Sequence, residues 1–76
     1  MHMDISARKI LLGRNIRAER EYQGMSQRKF ALMVGLGQTY LSDVENGQRN
    51  IGFENLCKIA DGLGVSIGAL TNFEDN

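Results

Sequence analysis

The stretch Gln27 to Asn46, QRKFALMVGLGQTYLSDVEN, decides the fold of this chain. Two short segments with helical apolar spacing are separated by Gly35-Leu36-Gly37. Gly35 can adopt a positive φ without steric cost, and Ala31 is small enough to let two helices approach closely. Leu41 and Val44 then anchor the second segment to the rest of the molecule. This pattern predicts a helix-turn-helix over residues 27–46, with the outer face of its second helix free.

Hydrophobic periodicity predicts helices on both sides of the quoted stretch. Ile5, Leu12 and Ile16 are spaced to share one face of the first helix. Four apolar residues of the fourth, between positions 56 and 63, fall at i, i+3, i+4 and i+7. No segment alternates apolar and polar residues as a half-buried strand does. The predicted helices cover about residues 5–23, 27–34, 38–46, 53–63 and a short piece after an N-cap at Ser66.

Size and composition favour one all-α domain that is not an enzyme. The 76 residues suffice for a single domain, with its core over about residues 8–71. Cys57 and His2 are each the only residue of their type, so neither a cysteine metal cluster nor a catalytic triad is available. We therefore expect no cofactor, no metal and no small-molecule ligand. No signal peptide or membrane-spanning run is visible, which favours a cytoplasmic protein.

Charge is polarised along the chain although the formal net charge is zero. Residues 1–30 carry a net charge of +4, and residues 31–76 carry −4. A basic face is therefore available for an anionic partner. Because the total charge is balanced, we expect only modest affinity for nucleic acid that is independent of its sequence.

The segment Ile16 to Leu70 resembles the lambda repressor and Cro family, also called the Xre family. The resemblance implies a five-helix domain that binds double-stranded DNA and regulates transcription. Within that family the chain is similar to phage repressors and to the small controller proteins of restriction-modification systems. It departs from the usual pattern at Gly37, Ile51 and Gly52. The matching motifs are Ile16-Arg17-x-x-Arg20, Gly24-Met25-Ser26-Gln27, Phe30-Ala31, Val34-Gly35, Tyr40-Leu41-Ser42, Glu45-Asn46-Gly47, Arg49-Asn50 and Leu56-x-x-Ile59-Ala60-x-x-Leu63-Gly64-Val65-Ser66.

The resemblance and the helical geometry together assign base contacts to the first turns of the third helix. Gln38 can bind the N6 and N7 atoms of adenine, and Thr39 can place its methyl group against that of thymine. Asp43 can accept from cytosine N4, but its charge would also repel phosphate. Tyr40 and Ser42 are assigned supporting contacts, with packing as the alternative for Tyr40.

Backbone contacts are assigned to two places. Ser26 and Gln27 open the second helix, where free N–H groups and the helix dipole attract phosphate. Arg28, near the start of the same helix, is also assigned a phosphate contact. The loop after the third helix is laid along the DNA backbone in the family, which implies contacts by Asn46, Arg49 and Asn50.

Arg20 and Glu45 are expected to have a structural role. The family pairs these two positions, and an arginine–carboxylate pair with two parallel hydrogen bonds would orient the third helix against the first. A carboxylate left without its partner in such a place would be costly.

Repressors of this type bind as dimers to inverted repeats one helical turn apart. The resemblance therefore implies a homodimer on an inverted-repeat operator. Apolar residues near the end of the chain are the candidate dimer interface, although closing the monomer core is the alternative for some of them. The candidates are Leu63, Ile67, Leu70 and Phe73.

A second class of function stays open. A protein-interaction module of the same fold, such as an antitoxin that sequesters a toxin, would also suit a chain with no net charge and with Asp43 on its exposed helix face. The two classes differ in salt dependence, because DNA binding weakens steeply with salt.

Overall fold

The computed structural model describes residues 4–73; His2 and the other terminal residues lie outside this part. Within residues 4–73 the chain forms five helices and no strand, which confirms the predicted all-α class. The predicted helix ends agree to within one residue. The helices are α1 (Ile5–Tyr22), α2 (Gln27–Val34), α3 (Gln38–Glu45), α4 (Phe53–Leu63) and α5 (Ile67–Thr71).

Side-chain caps start three of these helices. The Ser26 hydroxyl accepts from the N–H of Lys29 at 3.0 Å, and the Ser66 hydroxyl caps α5 in the same way. Asp4 caps α1. Such caps satisfy N–H groups that have no partner inside the helix. The helices that begin after Gly37 and Gly52 have no side-chain cap.

The helix-turn-helix lies where the sequence predicts it. Gly35 ends α2 with φ +73°, the left-handed conformation that favours glycine. The N–H of Leu36 then donates to the carbonyl of Ala31 at 2.9 Å, which closes the end of the helix. This turn lets α3 pack against both α2 and α1.

One apolar core holds the five helices together. Leu41 and Val44, predicted to lock the second helix to the body, are buried in it, and so is Ala31, the small residue predicted where the two helices touch. Leu36, also predicted to lock the second helix, packs against the core but is only partly buried. Because the inner side of α3 is fixed in this way, its polar outer side is left toward solvent. The core consists of Ile16, Phe30, Ala31, Leu41, Val44, Ile59, Ala60, Leu63 and Leu70.

The core also corrects part of the predicted dimer interface. Leu63 and Leu70 are 4% and 2% exposed in the monomer, so their side chains are not available to a second copy. Their assignment to an interface is wrong, because α5 folds back on α1 and α4 and closes the monomer core. Ile67 packs partly against the core, and Phe73 remains half-buried.

Asn15 of α1 and Gln23, the residue directly after α1, strengthen this closure. The amide nitrogen of Asn15 donates to the carbonyl of Leu70 at 2.8 Å, and that of Gln23 donates to the carbonyl of Leu63 at 2.7 Å. These carbonyls lie at the ends of α5 and α4, where intrahelical partners run out. None of the described helices is long and apolar enough to cross a bilayer.

Candidate DNA interface

The outer side of α3 carries three of the predicted base-reading residues. Gln38 and Thr39 are exposed in its first turn, and Ser42 is half-buried one turn later. Leu41 and Val44 on the opposite side are buried. A helix that is anchored along one side and polar along the other can enter a groove of a duplex without disturbing the core.

Arg28 of α2 lies beside the start of α3. It lines an open cleft together with Leu36 and Gln38, between the two helices of the motif. A cation and an amide that can read a base therefore border the same surface. We call this surface, formed by Arg28, Gln38, Thr39 and Ser42, the α2–α3 surface.

The two residues that open α2 are used partly inside the protein. The Ser26 hydroxyl caps the helix, so its side chain is already engaged. The amide nitrogen of Gln27 donates to Oε1 of Glu45 at 3.0 Å. Gln27, predicted as a phosphate contact, therefore also links the start of α2 to the end of α3.

Arg20 and Glu45 form a buried pair with two parallel hydrogen bonds. Nε of Arg20 lies 2.7 Å from Oε2 of Glu45, and Nη2 lies 2.9 Å from Oε1. Arg20 is 6% and Glu45 4% exposed. The guanidinium also donates to the carbonyl of Met25 at 2.7 Å. With Gln27 added, this network joins α1, the turn after it, the start of α2 and the end of α3.

This network raises the pKa of Arg20. The hydrogen bonds to Glu45 are the largest cause, and they outweigh the burial that would lower the pKa. The guanidinium therefore keeps its charge, and the carboxylate keeps its partner. The pair holds α3 in a fixed orientation relative to α1.

A second polar cluster joins α3 to the segment that follows it, and we call it the Arg49 cluster. The Arg49 guanidinium lies over the Tyr40 ring, 4.9 Å from its centroid, and Nη2 lies 3.4 Å from Oδ2 of Asp43. The amide nitrogen of Asn55 donates to the Tyr40 hydroxyl at 3.0 Å. Tyr40 and Asp43, both predicted to read bases, thus contact Arg49, which is predicted to contact phosphate.

Sequence reasoning missed Asn55 and the second role of Gln27. Nothing in the local pattern marks Asn55, because it is a polar residue on an amphipathic helix like many others. Asn46 and Asn50, predicted to contact the DNA backbone, are exposed in the segment that follows α3. Among the described residues, no group of histidine, cysteine and acidic side chains could hold a metal ion.

Five helices with a buried helix-turn-helix core and a polar outer α3 define a helix-turn-helix domain of the DNA-binding type. A model of the helix-turn-helix family HTH_3 matches residues 16–70, which is more than half of the chain. The chain therefore belongs to this family, and the predicted resemblance to Xre-type proteins is confirmed.

Several curated relatives are control proteins. The chain is 41% identical over 63 residues to control protein C.MunI from Mycoplasma sp, covering 82% of this chain and 85% of the relative. It is 39% identical over 66 residues to control protein C.BamHI from Bacillus amyloliquefaciens, covering 86% and 82%.

Solved structures show the same architecture. The restriction-modification controller protein C.AhdI from Aeromonas hydrophila superposes with a TM-score of 0.82 at 34% identity, covering 84% of this chain and 97% of that one. A hypothetical transcription factor from Neisseria, NHTF, gives a TM-score of 0.82 at 35% identity, covering 93% and 82%. These relatives are controllers or transcription factors by description, and none of them is described as an enzyme.

Proposed function

We propose that this protein is a sequence-specific transcription regulator that inserts α3 into the DNA major groove. The observation that carries the proposal is the polar outer side of α3, where Gln38 and Thr39 are exposed while Leu41 and Val44 anchor the helix. Family membership supports the same conclusion, since the similar proteins are controllers and transcription factors.

Within this function, base reading belongs to the first turns of α3. Gln38 has two hydrogen-bonding groups that match adenine in the major groove, and Thr39 has a methyl group that matches thymine. Ser42 follows on the same side. Phosphate contacts come from Arg28, from the first N–H groups of α2, and from Asn46, Arg49 and Asn50 in the segment after α3.

We further propose that two copies bind an inverted repeat. One α3 reads only one half-site, and symmetric dimers of helix-turn-helix proteins bind two half-sites one helical turn apart. Of the predicted interface residues, Ile67 and Phe73 remain candidates because their side chains are only partly buried.

Selection of bound sequences from a pool of random duplex DNA tests the proposal. The expected result is an enriched motif with two-fold symmetry, whose affinity falls steeply with salt because cationic groups displace ions from the phosphates. Failure to enrich any sequence, together with capture of a protein partner and no salt-dependent DNA binding, would instead support the protein-interaction module.

Gln38→Ala is the matching residue-level test. The variant should lose discrimination at one base pair of the selected half-site, by about 1–3 kcal/mol, while other positions keep their preference. Arg28→Ala is the comparison variant, since it removes a cation from the same cleft and should weaken binding to all sequences alike. A uniform loss for Gln38→Ala would make Gln38 a backbone contact.

A further inference from the structure

Arg49 is held from two sides in the free protein. Its guanidinium contacts the Tyr40 ring on one side and the Asp43 carboxylate on the other, at 3.4 Å from Nη2 to Oδ2. Yet 47% of the Arg49 side chain is exposed to solvent. The cation is therefore oriented by its neighbours and can still be reached by another anion.

The negative charge of Asp43 does not stabilise α3. The residue lies in the last turn of α3, where the negative end of the helix dipole disfavours a negative side chain. Its ion pair with Arg49 is partly exposed, with 47% of the Arg49 side chain and 35% of the Asp43 side chain open to solvent, so solvent screens much of the attraction. We therefore ask how the charge of Asp43 affects an anionic partner that binds beside the Arg49 cluster.

A duplex docked on α3 brings phosphates to the same place. A phosphate and the Asp43 carboxylate would compete for the Arg49 guanidinium, and the carboxylate would also repel the nearby polyanion. We propose that Asp43 restrains Arg49 and thereby lowers the part of DNA affinity that does not depend on sequence. This inference rests on the proposed DNA contact of α3, and it gives Asp43 a role other than base reading.

The restraint has a consequence for the whole chain. With no net charge and one of its cations partly neutralised, the protein gains little from phosphates alone. Occupancy of DNA then depends on base contacts by residues such as Gln38 and Thr39. A regulator that must find one site among many competing sites benefits from weak binding to the others.

Salt titrations of DNA affinity test the proposal, with the full chain and a short duplex of random sequence as the probe. Asp43→Asn keeps the shape of the side chain and removes its charge. The variant should bind the duplex about three- to tenfold more tightly at low salt, and the slope of log K against log salt should steepen by up to about 0.9, the value for one phosphate contact.

Two further variants make the test specific. Asp61→Asn removes an exposed carboxylate from α4, outside the Arg49 cluster, and controls for net charge. Arg49→Ala removes the restrained cation. Adding Asp43→Asn to Arg49→Ala should then give no gain in affinity over Arg49→Ala alone. An equal gain for Asp61→Asn, a gain that persists without Arg49, or no gain for Asp43→Asn would each overturn the proposal.

A measurement without DNA separates this inference from the proposed function. In the free protein, the NMR signals of the Arg49 guanidinium should shift in Asp43→Asn, and rotation about the Nε–Cζ bond of Arg49 should become faster. Asp61→Asn should change neither. Unchanged signals would overturn the restraint itself. A wild-type chain that shows the restraint but binds neither random nor selected duplexes would overturn the proposed function instead.

Discussion

The Glu45 side chain ties the end of α3 to α1 and α2. Its two oxygens accept from Arg20 and Gln27, and its side chain is 1% exposed. A carboxylate so deeply buried is stable only with all its donors in place. The raised pKa of Arg20 keeps that partner charged.

Glu45→Gln should lower both the stability of the protein and its affinity for DNA. The change takes the hydrogen-bonded counter-charge away from the buried Arg20 guanidinium and leaves only the more distant Glu21 carboxylate, at 4.0 Å. Breaking a buried pair typically costs about 3–5 kcal/mol. Thermal unfolding followed by circular dichroism measures the first effect, and a binding titration at a temperature where the variant is folded measures the second.

Glu54→Gln is the matched control, because Glu54 is exposed in the first turn of α4 and takes no part in the contacts of the Arg20–Glu45 pair given above. Its loss should cost less than about 1 kcal/mol. Equal melting temperatures for Glu45→Gln and the wild type would contradict the structural role of the buried pair.

The raised pKa of Arg20 also predicts how the stability of the protein depends on pH. A cation whose folded-state pKa lies above its unfolded value contributes stability that is complete below the unfolded pKa and is lost as pH rises through the folded pKa. For an arginine both values lie at strongly alkaline pH. The Arg20 contribution should therefore stay constant through neutral and mildly alkaline pH in urea unfolding, and a decline there would contradict it.

At the scale of elements, Gly13 allows α1 to lie directly against the end of α3. A methyl group built on Gly13 would lie 2.5 Å from the carbonyl oxygen of Glu45 and also too close to that of Val44. Both are main-chain atoms, which cannot turn aside as a long side chain can. The absence of a side chain at Gly13 therefore sets the distance between α1 and α3, next to the Arg20–Glu45 pair.

Gly13→Ala should separate α1 from α3. Although alanine favours helix by about 1 kcal/mol over glycine, the clash should destabilise the protein by about 1–3 kcal/mol net. DNA affinity should fall as well, because α3 loses its orientation. Urea unfolding and a binding titration measure the two effects.

Gly68→Ala supplies the comparison within α5. A methyl group there meets only the Ser66 hydroxyl, at 3.8 Å, which is an ordinary contact. This variant should be as stable as the wild type or slightly more stable. If Gly13→Ala behaved in the same way, the close approach of α1 and α3 would not limit the fold.

At the scale of the whole molecule, core closure and the proposed dimer contact fall on different residues near the end of the described chain. Leu70 is 2% exposed and closes the core, whereas Phe73 beyond the helix is only half-buried. A second copy can therefore be reached from this end of the chain without opening the monomer.

Phe73→Ala should weaken dimerisation while the monomer remains folded. Sedimentation at tens of micromolar should show a shift toward monomer, since removing an aromatic contact from the proposed interface costs binding energy. Phe53→Ala, at a position that is 71% exposed on α4, should leave the assembly unchanged.

Leu70→Ala should behave differently from Phe73→Ala, since it opens a cavity in the core and should destabilise the monomer by about 2–5 kcal/mol. A wild-type chain that sediments as a monomer, with and without its selected DNA, would contradict the dimer proposal.

Much of the fold could be predicted because its signals are local. The spacing of Leu56, Ile59 and Leu63 predicts α4, and Ser26 and Gly35 mark the two ends of α2. Of the candidate interface, the exposed face with Gln38 and Thr39 follows from the same periodicity. The pairing of Arg20 with Glu45 came from the family resemblance.

What the sequence by itself determined is the position of the helices and the polar side of α3, because apolar spacing and helix caps act within a turn or two of chain. The tertiary structure alone decided that Gln27 joins Glu45 across 18 positions and that Asn55 joins Tyr40 across 15. It also decided that Leu70 faces inward rather than toward a partner. Such contacts depend on how whole helices pack, and no local pattern encodes the angle and distance at which two helices meet.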